Sequence, residues 1–408
     1  MTNQMTNRSK RILYGITGGI AAYKAPEILH GWVKLGYEVE TILTEAAEAF
    51  VSPMVLSTLS KRRVWRDRDF LSDEYGWKIP HISLTNWADV FVIAPCTANI
   101  LHVAASGDGS TLLGASIIAN TKPLLIFPAM NCNMLANPSV RANIKLLEER
   151  GAVVADPDSG ILACGYEGKG RLPSADVIND YVKMMLCTKK DFKGKRVVVT
   201  AGPTHEYIDP VRYISNPSTG KMGYAIARAA WDRGAHVTLI TGPTSLVRPA
   251  GMRIINITSA EDMYNACMDA SPTADIIIKA AAVGDYRVAN PFDRKIKRNM
   301  SETLTLELKQ NKDIAAALGK IKMPGQILVG FAAETNDIIE NAQRKLAEKR
   351  LDMIVSNDVS KPGAGFAVDT NDITIMAVGA EPVTFSGTKE DAANCILDAI
   401  VAYTVAKK

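Results

Sequence analysis

No uninterrupted apolar run in the 408 residues reaches the roughly 18–20 positions that a membrane-spanning helix needs, so no membrane partner is expected. Nor is a secretory signal expected, because the first eleven residues are mostly polar and lead into a strand-like run. Cysteine is scarce: there are six, none spaced as Cys-x-x-Cys. That excludes a disulfide scaffold and points to reduced thiols and a cytoplasmic address. A strong excess of one charge sign is also absent, with a formal net of only +4 and no long basic run, so no nucleic-acid partner is expected. Low-complexity tracts and short repeats are also missing. What is present is a globular composition, 47% hydrophobic against 22% charged, too apolar for a disordered chain. The length suits two or three domains of about 150 residues each.

The first half alternates buried-type strands with amphipathic stretches. Strands are expected at Ile12–Thr17, Val39–Leu43, Val90–Ala94, Leu124–Phe127 and Val153–Ala155, with helices such as Ala21–Leu35 and Pro138–Arg150 between them. Such β/α alternation implies a parallel sheet covered on both faces, with ligands bound at the carboxyl ends of its strands. The pattern breaks at the polar, basic stretch Lys189–Lys195, which sets the domain boundary; the domains are read as residues 1–188 and 189–408. The second half restarts the alternation with strands at Val197–Thr200, Val237–Thr241, Ile254–Ile257, Asp275–Ala280, Ile327–Ala332 and Met353–Ser356. Leu304–Leu308 reads as a hairpin or edge strand. Asp372–Val378 and Pro382–Phe385 read as a closing antiparallel pair before a last helix, Lys389–Val405.

Chemistry-bearing residues gather at the strand ends. The first strand runs into Gly18-Gly19-Ile20, where a backbone without side chains lets N–H groups approach a phosphate; a plain strand-to-helix turn looks the same. Pro95-Cys96-Thr97-Ala98-Asn99 and Pro128-Ala129-Met130-Asn131 end two further strands with small and polar groups, which describes a ligand crevice. Asn131 offers both a donor and an acceptor, suiting a carboxylate or amide. His81 precedes the helix-like Thr85–Ala88. Cys164 lies among four glycines, a segment that reads as a mobile loop rather than an element, and a thiol on a flap suits redox or proton-donor work.

In the second half Gly202 and the segment Ser218–Gly223 are phosphate-loop candidates, although neither is a Walker A loop. Ala280–Asp285 places small residues and an acid at a strand end, and Lys295–Arg298 adds a basic loop. Phe331 suits either a base stack or the core. Lys345 and Lys349, four apart, share one helix face.

The motifs GGIAAYK, HISLTNWAD, APCTAN, PAMN and LACGYEGKGR, in that order, resemble the flavin-dependent phosphopantothenoylcysteine decarboxylases. The motifs TAGPT, DPVRYISN, AAVGDY, KIKR, VGFAAET and LDMIVSND resemble the phosphopantothenate–cysteine ligases. Together they cover almost the whole chain and resemble the bacterial fusion of the two. The resemblance implies an α/β architecture of two Rossmann-like domains: an N-terminal flavodoxin-like parallel sheet, and a C-terminal doubly wound sheet with an antiparallel extension. It implies His81, Asn131 and Cys164 as catalytic residues. For FMN it implies Gly18, Gly19, Ile20, Thr44, Pro95, Thr97, Ala98, Asn99, Ala129 and Met130. For the ligase it implies Arg212, Asn216 and Lys295 as catalytic. Asp285, Lys295, Lys312, Asp313, Ile314, Ala315, Phe331, Lys345 and Lys349 would contact CTP. The implied substrates are 4′-phosphopantothenate, cysteine and CTP, with Mg²⁺ as cofactor and no metal ligand singled out. The implied assembly is trimers through the first domain and dimers through the second, closing into a homododecamer. Leu135 stands where such decarboxylases usually have Trp, Cys96 where Ala is commoner, and Gly107–Thr111 replaces a more acidic stretch. His205 and Gly284 replace the ligases' usual Arg and Ala. Two other readings are a flavin decarboxylase of another cysteine-containing substrate with a degenerate ligase half, and a non-catalytic flavoprotein. Intact Lys295 and Asn216 argue against the first; intact His81, Asn131 and Cys164 argue against the second.

Overall fold

In the computed structural model the chain divides into two compact units, Met1–Leu186 and Cys187–Lys408. The structure describes residues 8–163, 165–297, 303–334, 338–358 and 368–407.

The first unit contains strands β1 (Arg11–Ile16), β2 (Glu38–Leu43), β3 (Val64–Arg66), β4 (Val90–Cys96), β5 (Leu124–Pro128) and β6 (Val153–Val154). They form one parallel sheet in the order β3-β2-β1-β4-β5-β6. The order reverses at β1, so the switch point lies between β1 and β4, where the following connections leave in opposite directions and open a crevice. Both faces are covered, which is why β4 is buried at all seven positions instead of alternating. One face carries Ile12, Tyr14 and Ile16 against Trp32 and Ile28 of the helix Ala25–Lys34. The other carries Leu13, Phe91 and Ile93 against Leu101 and Leu113.

Two expectations are corrected here. The glycine-rich segment around residues 158–171 is not merely a loop: β7 (Asp158–Ile161) and β8 (Glu167–Arg171) pair as an antiparallel hairpin. A ladder needs only backbone donors and acceptors, and glycine supplies both. His81 lies inside a helix, Pro80–Trp87, instead of ahead of one; Pro80 opens it, where a missing N–H costs nothing.

In the second unit the strands are β9 (Arg196–Ala201), β10 (Glu206–Tyr207), β11 (Tyr213–Ile214), β12 (His236–Thr241), β13 (Arg253–Asn256), β14 (Ile276–Lys279), β15 (Tyr286–Val288), β16 (Leu308–Gln310), β17 (Ile327–Glu334), β18 (Met353–Asp358), β19 (Thr370–Ala377) and β20 (Val383–Thr388). The main sheet has the order β13-β12-β9-β14-β17-β18-β19-β20. It is parallel as far as β18 and antiparallel beyond. This is the doubly wound sheet with an antiparallel extension, and its switch point falls between β9 and β14. The expected strand at Leu304–Leu308 is displaced: only Leu308 lies in β16, whose register is set by pairing with β15.

The interior of this sheet, beside β17 and β18, is fastened by one buried carboxylate. Asp352 accepts from Lys322 at 2.8 Å, the Leu328 amide at 2.9 Å, Lys407 at 3.0 Å and the Tyr403 hydroxyl at 3.1 Å. Burial pushes its pKa up, but the Lys322, Leu328 and Lys407 contacts outweigh burial and hold the carboxyl below its usual value. A carboxyl depressed on folding stabilises fully above its unfolded pKa of about 3.9 and loses that contribution as pH falls through the lower folded value. Asp352→Asn is therefore expected to lower the urea midpoint at neutral pH and to flatten its decline below about pH 4.

Candidate functional site

In the first unit the crevice is built by backbone contact between strand ends. Thr17, fully buried just after β1, donates its hydroxyl to the Pro95 carbonyl at 2.8 Å and accepts the Thr97 N–H at 3.1 Å. It thus staples β1 to β4 across the switch point. Thr97 in turn caps the helix Ala98–Ser106 by accepting from the Ile100 N–H. Gly18 is obligatory: a Cβ there would lie 2.4 Å from the Ala46 Cβ, so the turn after β2 can press against this segment only because Gly18 has no side chain.

The hairpin β7–β8 docks in the same way. The Met130 N–H donates to the Gly170 carbonyl at 3.0 Å, and a Cβ on Gly170 would sit 2.1 Å from the Met130 carbonyl oxygen. Between hairpin and strand ends lies a cavity of about 530 Å³. Its wall includes Gly18, Gly19, Ile20, Thr97, Ala98, Ala129, Met130 and Asn131, joined by Ile161, Leu162 and Ala163 of the hairpin. That size and its mostly apolar lining suit a flat aromatic cofactor with one polar end. Asn131 caps the short helix Cys132–Ala136 by accepting from the Asn133 N–H at 2.8 Å, which fixes its amide at the cavity's edge.

Not every expected residue reaches this wall. Pro95 is buried behind Thr17, and Asn99 is exposed on its helix. Thr44 lies under the turn at Glu45–Ala49, its hydroxyl buried without a hydrogen-bond partner. His81 is not in the wall; its ring stands edge-on to Phe70 at 5.3 Å, and its buried Nδ1 has no partner. Cys164 lies outside the described residues. Thr17 was missed in the sequence; the only signal was a hydroxyl residue at the last strand position before Gly-Gly.

The second unit repeats the construction around β9 and β14. Gly223 opens the helix Lys221–Asp232 so close to β9 that a Cβ would lie 2.5 Å from the Ala201 Cβ. At Gly242 a Cβ would lie 1.7 Å from the Pro203 carbonyl. The buried Thr204 hydroxyl accepts from the Gly284 N–H at 3.0 Å, and its carbonyl accepts from Ser215 at 2.8 Å. Asn216 donates its amide to the Ala282 and Val283 carbonyls, both at 3.2 Å, which brings it to the segment carrying the exposed Asp285.

Arg212 is engaged by Asp209, through Nε at 2.9 Å and through its terminal nitrogen, and also donates to the Ile296 carbonyl at 3.0 Å. The Arg212 contact holds the Asp209 carboxyl well below the usual carboxylate range. Lys295 is exposed and is the chain neighbour of Ile296, whose carbonyl Arg212 contacts. On the other side of β14, Asp313 caps the helix Ile314–Ile321 and pairs with Lys349 at 2.9 Å. Ile314 and Ala315 have their side chains buried in the core. Lys312 pairs with Glu261 at 2.7 Å, Phe331 is half-buried in β17, and Lys345 lies on the helix Ile338–Glu348 one turn before Lys349. Among the described residues no group of three or more His, Cys, Asp or Glu side chains could hold a metal. A Mg²⁺ arriving on nucleotide phosphates needs at most one or two carboxylates, and Asp285 fits that role.

Comparisons with known proteins agree with this two-unit architecture. Residues 1–187 match the family described as Flavoprotein, and residues 192–403 match the DNA/pantothenate metabolism flavoprotein C-terminal domain. The coenzyme A biosynthesis bifunctional protein CoaBC of Bacillus subtilis is 45% identical over 371 residues, 90% of each chain. The chain belongs to this bifunctional coenzyme A biosynthesis family. The Escherichia coli protein of the same name is 38% identical over 399 residues, 97% of this chain and 98% of its own. A solved C-terminal domain of a CoaBC protein is 39% identical, covering 52% of this chain and 96% of that one, with a TM-score of 0.45. The family joins a flavoprotein domain to a second α/β domain, and each unit here has its crevice at its own strand switch. Among the described residues no helix is long and apolar enough to cross a membrane.

Because Gly18 has no room for a methyl group, Gly18→Ala is expected to displace the turn at Glu45–Ala49, costing about 1–3 kcal/mol. Flavin absorbance per purified chain should fall at least tenfold; a variant as yellow as the wild type would show that this packing does not shape the cavity.

Proposed function

We propose that the two units perform consecutive reactions, ligation in the second and decarboxylation in the first. In the second unit the carboxylate of 4′-phosphopantothenate attacks the α-phosphorus of CTP and expels pyrophosphate. The cysteine amine then attacks the acyl-cytidylate and releases CMP. A free carboxylate is a poor acyl donor, and the mixed anhydride supplies the leaving group. Asn216 and Arg212 border the reacting acyl group. Arg212 is held in place by Asp209, so its part is orientation more than free charge. Lys295 and Mg²⁺ offset the charge that develops on the phosphates. The nucleotide is placed against Asp285, Phe331 and the first turn of the helix at Ile314, with Lys312, Asp313, Lys345 and Lys349 around it.

In the first unit the cavity at the β1–β4 switch holds FMN, with Gly18, Gly19, Ile20, Thr97, Ala98, Ala129 and Met130 in its wall; Thr44, Pro95 and Asn99 support that wall from behind or beside it. Bound there, FMN would supply a reversible electron sink for the thiol-bearing carbon, which leaves the overall reaction redox-neutral. Asn131 binds the departing carboxylate, with its oxygen turned to the Asn133 N–H. Cys164, which follows β7 in the sequence, donates the proton that the decarboxylated product takes up as the electron pair is returned. His81 lies away from the wall of its own chain, so it serves a neighbouring copy, which fits trimers through this unit, dimers through the other and a dodecamer overall. The protein works in the cytoplasm on small molecules. The observation that carries this reading is the 530 Å³ cavity at the strand switch, lined by Gly18, Thr97 and Met130 and by Ile161 and Leu162 of the hairpin.

Two variants separate the reactions. Cys164→Ser is expected to release carbon dioxide from phosphopantothenoylcysteine while forming less than about one-hundredth of the wild-type phosphopantetheine. Unchanged phosphopantetheine output would remove the thiol from the mechanism. Lys295→Gln is expected to slow pyrophosphate release about 100-fold or more while leaving decarboxylation intact. Loss of both activities would contradict the separation of the sites.

A further inference from the structure

One cation in the second unit is used by none of these steps. Lys279 is the last residue of β14, at the strand switch, in register with Thr200 of β9 and Gly330 of β17. The rest of that strand is Ile-Ile-Ile, and residues two apart in a strand share a face. Ile277 packs in the core formed with the helices Ala260–Ala270 and Ile314–Ile321, so the Lys279 stem enters the same layer. The charged and titratable groups around its ammonium are Asp313, the Cys267 thiol, Lys349 and Asp285. Among the described residues it makes no ion pair and no side-chain hydrogen bond with any of them.

The nearest carboxylate is already engaged. Asp313 caps the helix at Ile314 through the Ala316 N–H at 3.0 Å and pairs with Lys349 at 2.9 Å. Burial makes the Lys279 ammonium give up its proton more readily than an ordinary lysine. Two lysines therefore share one aspartate at the first turn of a helix whose free N–H groups add further positive potential. Lys279 is only partly buried, and with Asp313 paired to Lys349 its ammonium has no carboxylate of its own at this turn.

We propose that Lys279 binds the nucleotide, its ammonium meeting a phosphate of the triphosphate at the first turn of the helix Ile314–Ile321. This rests on the nucleotide reading of that site given above. It adds a cation from beneath the sheet's end to those contributed by the surface lysines. It also accounts for a charged residue terminating an all-isoleucine strand.

The test is isothermal titration of the full-length protein with CTP and, separately, with cytidine, for wild type, Lys279→Met and Lys279→Arg. Lys279→Met is expected to raise the Kd for CTP at least tenfold while changing that for cytidine less than twofold. Lys279→Arg should recover most of the lost CTP affinity. The steepness with which CTP binding weakens as salt rises should be lower in Lys279→Met, because a charge contact has gone. Equal CTP affinity in wild type and Lys279→Met would overturn the proposal. Equal loss for CTP and cytidine would overturn it too, since that marks a change of shape and not a missing phosphate contact. If Lys279→Met does not fold, by far-ultraviolet circular dichroism, Lys279→Gln is read by the same criteria. Failure of the wild type to bind CTP at all would remove the nucleotide reading and this proposal with it.

Discussion

Both units depend on backbone touching backbone where a strand turns into its helix. At Gly18 and Gly223 the neighbouring segment lies where a Cβ would have to be, and at Gly242 a carbonyl oxygen does. A methyl group at any of these positions would push the strand end from its neighbour and widen the crevice. The turn after β2, the helix Lys221–Asp232 and the loop at Pro203 are each located by that contact. The polar groups at the strand ends inherit their positions from it.

Small hydroxyl residues then lock what the glycines allow. Thr17 joins β1 to β4 in the first unit, and Thr204 joins the loop after β9 to the segment after β14 in the second. In both cases a buried oxygen is fully used between two strands adjacent in the sheet but distant in the chain. Burial in an apolar surround makes such bonds matter, because a missing partner would leave an orphaned amide or carbonyl. The ligand-facing residues beside them, Thr97 and Ala98 in one unit and Asp285 in the other, can therefore be short or exposed and still be held in place.

Much of this was legible in the residues. The β-branched runs at Ile12, Val90, Val197 and Ile276 marked the central strands, since a parallel strand covered on both faces needs continuous apolar sequence. The residues at Gly18, Thr97, Ala129 and Asn131 were recognisable as crevice formers, and the cavity gathers them. What escaped was whatever depends on a partner strand. β3, only Val64–Arg66, is too short to show a period. The β7–β8 ladder is made by backbone groups that a glycine-rich sequence does not advertise. β16 takes its place from β15 and not from the alternation at Leu304. Thr17 and Lys279 look ordinary until the sheet order puts them at a switch point. His81 was expected in the same centre as Asn131, yet one chain does not place it in the cavity wall.

The carboxylate of Asp352 reaches three elements that the chain visits far apart: Lys322 after the helix Ile314–Ile321, the Leu328 amide of β17, and Tyr403 and Lys407 of the closing helix Lys389–Ala406. Elements tied to one buried charge do not fray independently, because releasing any of them exposes the same underpaired ion. In deuterium labelling, the amides of that strand and both helices would exchange as one cooperative block.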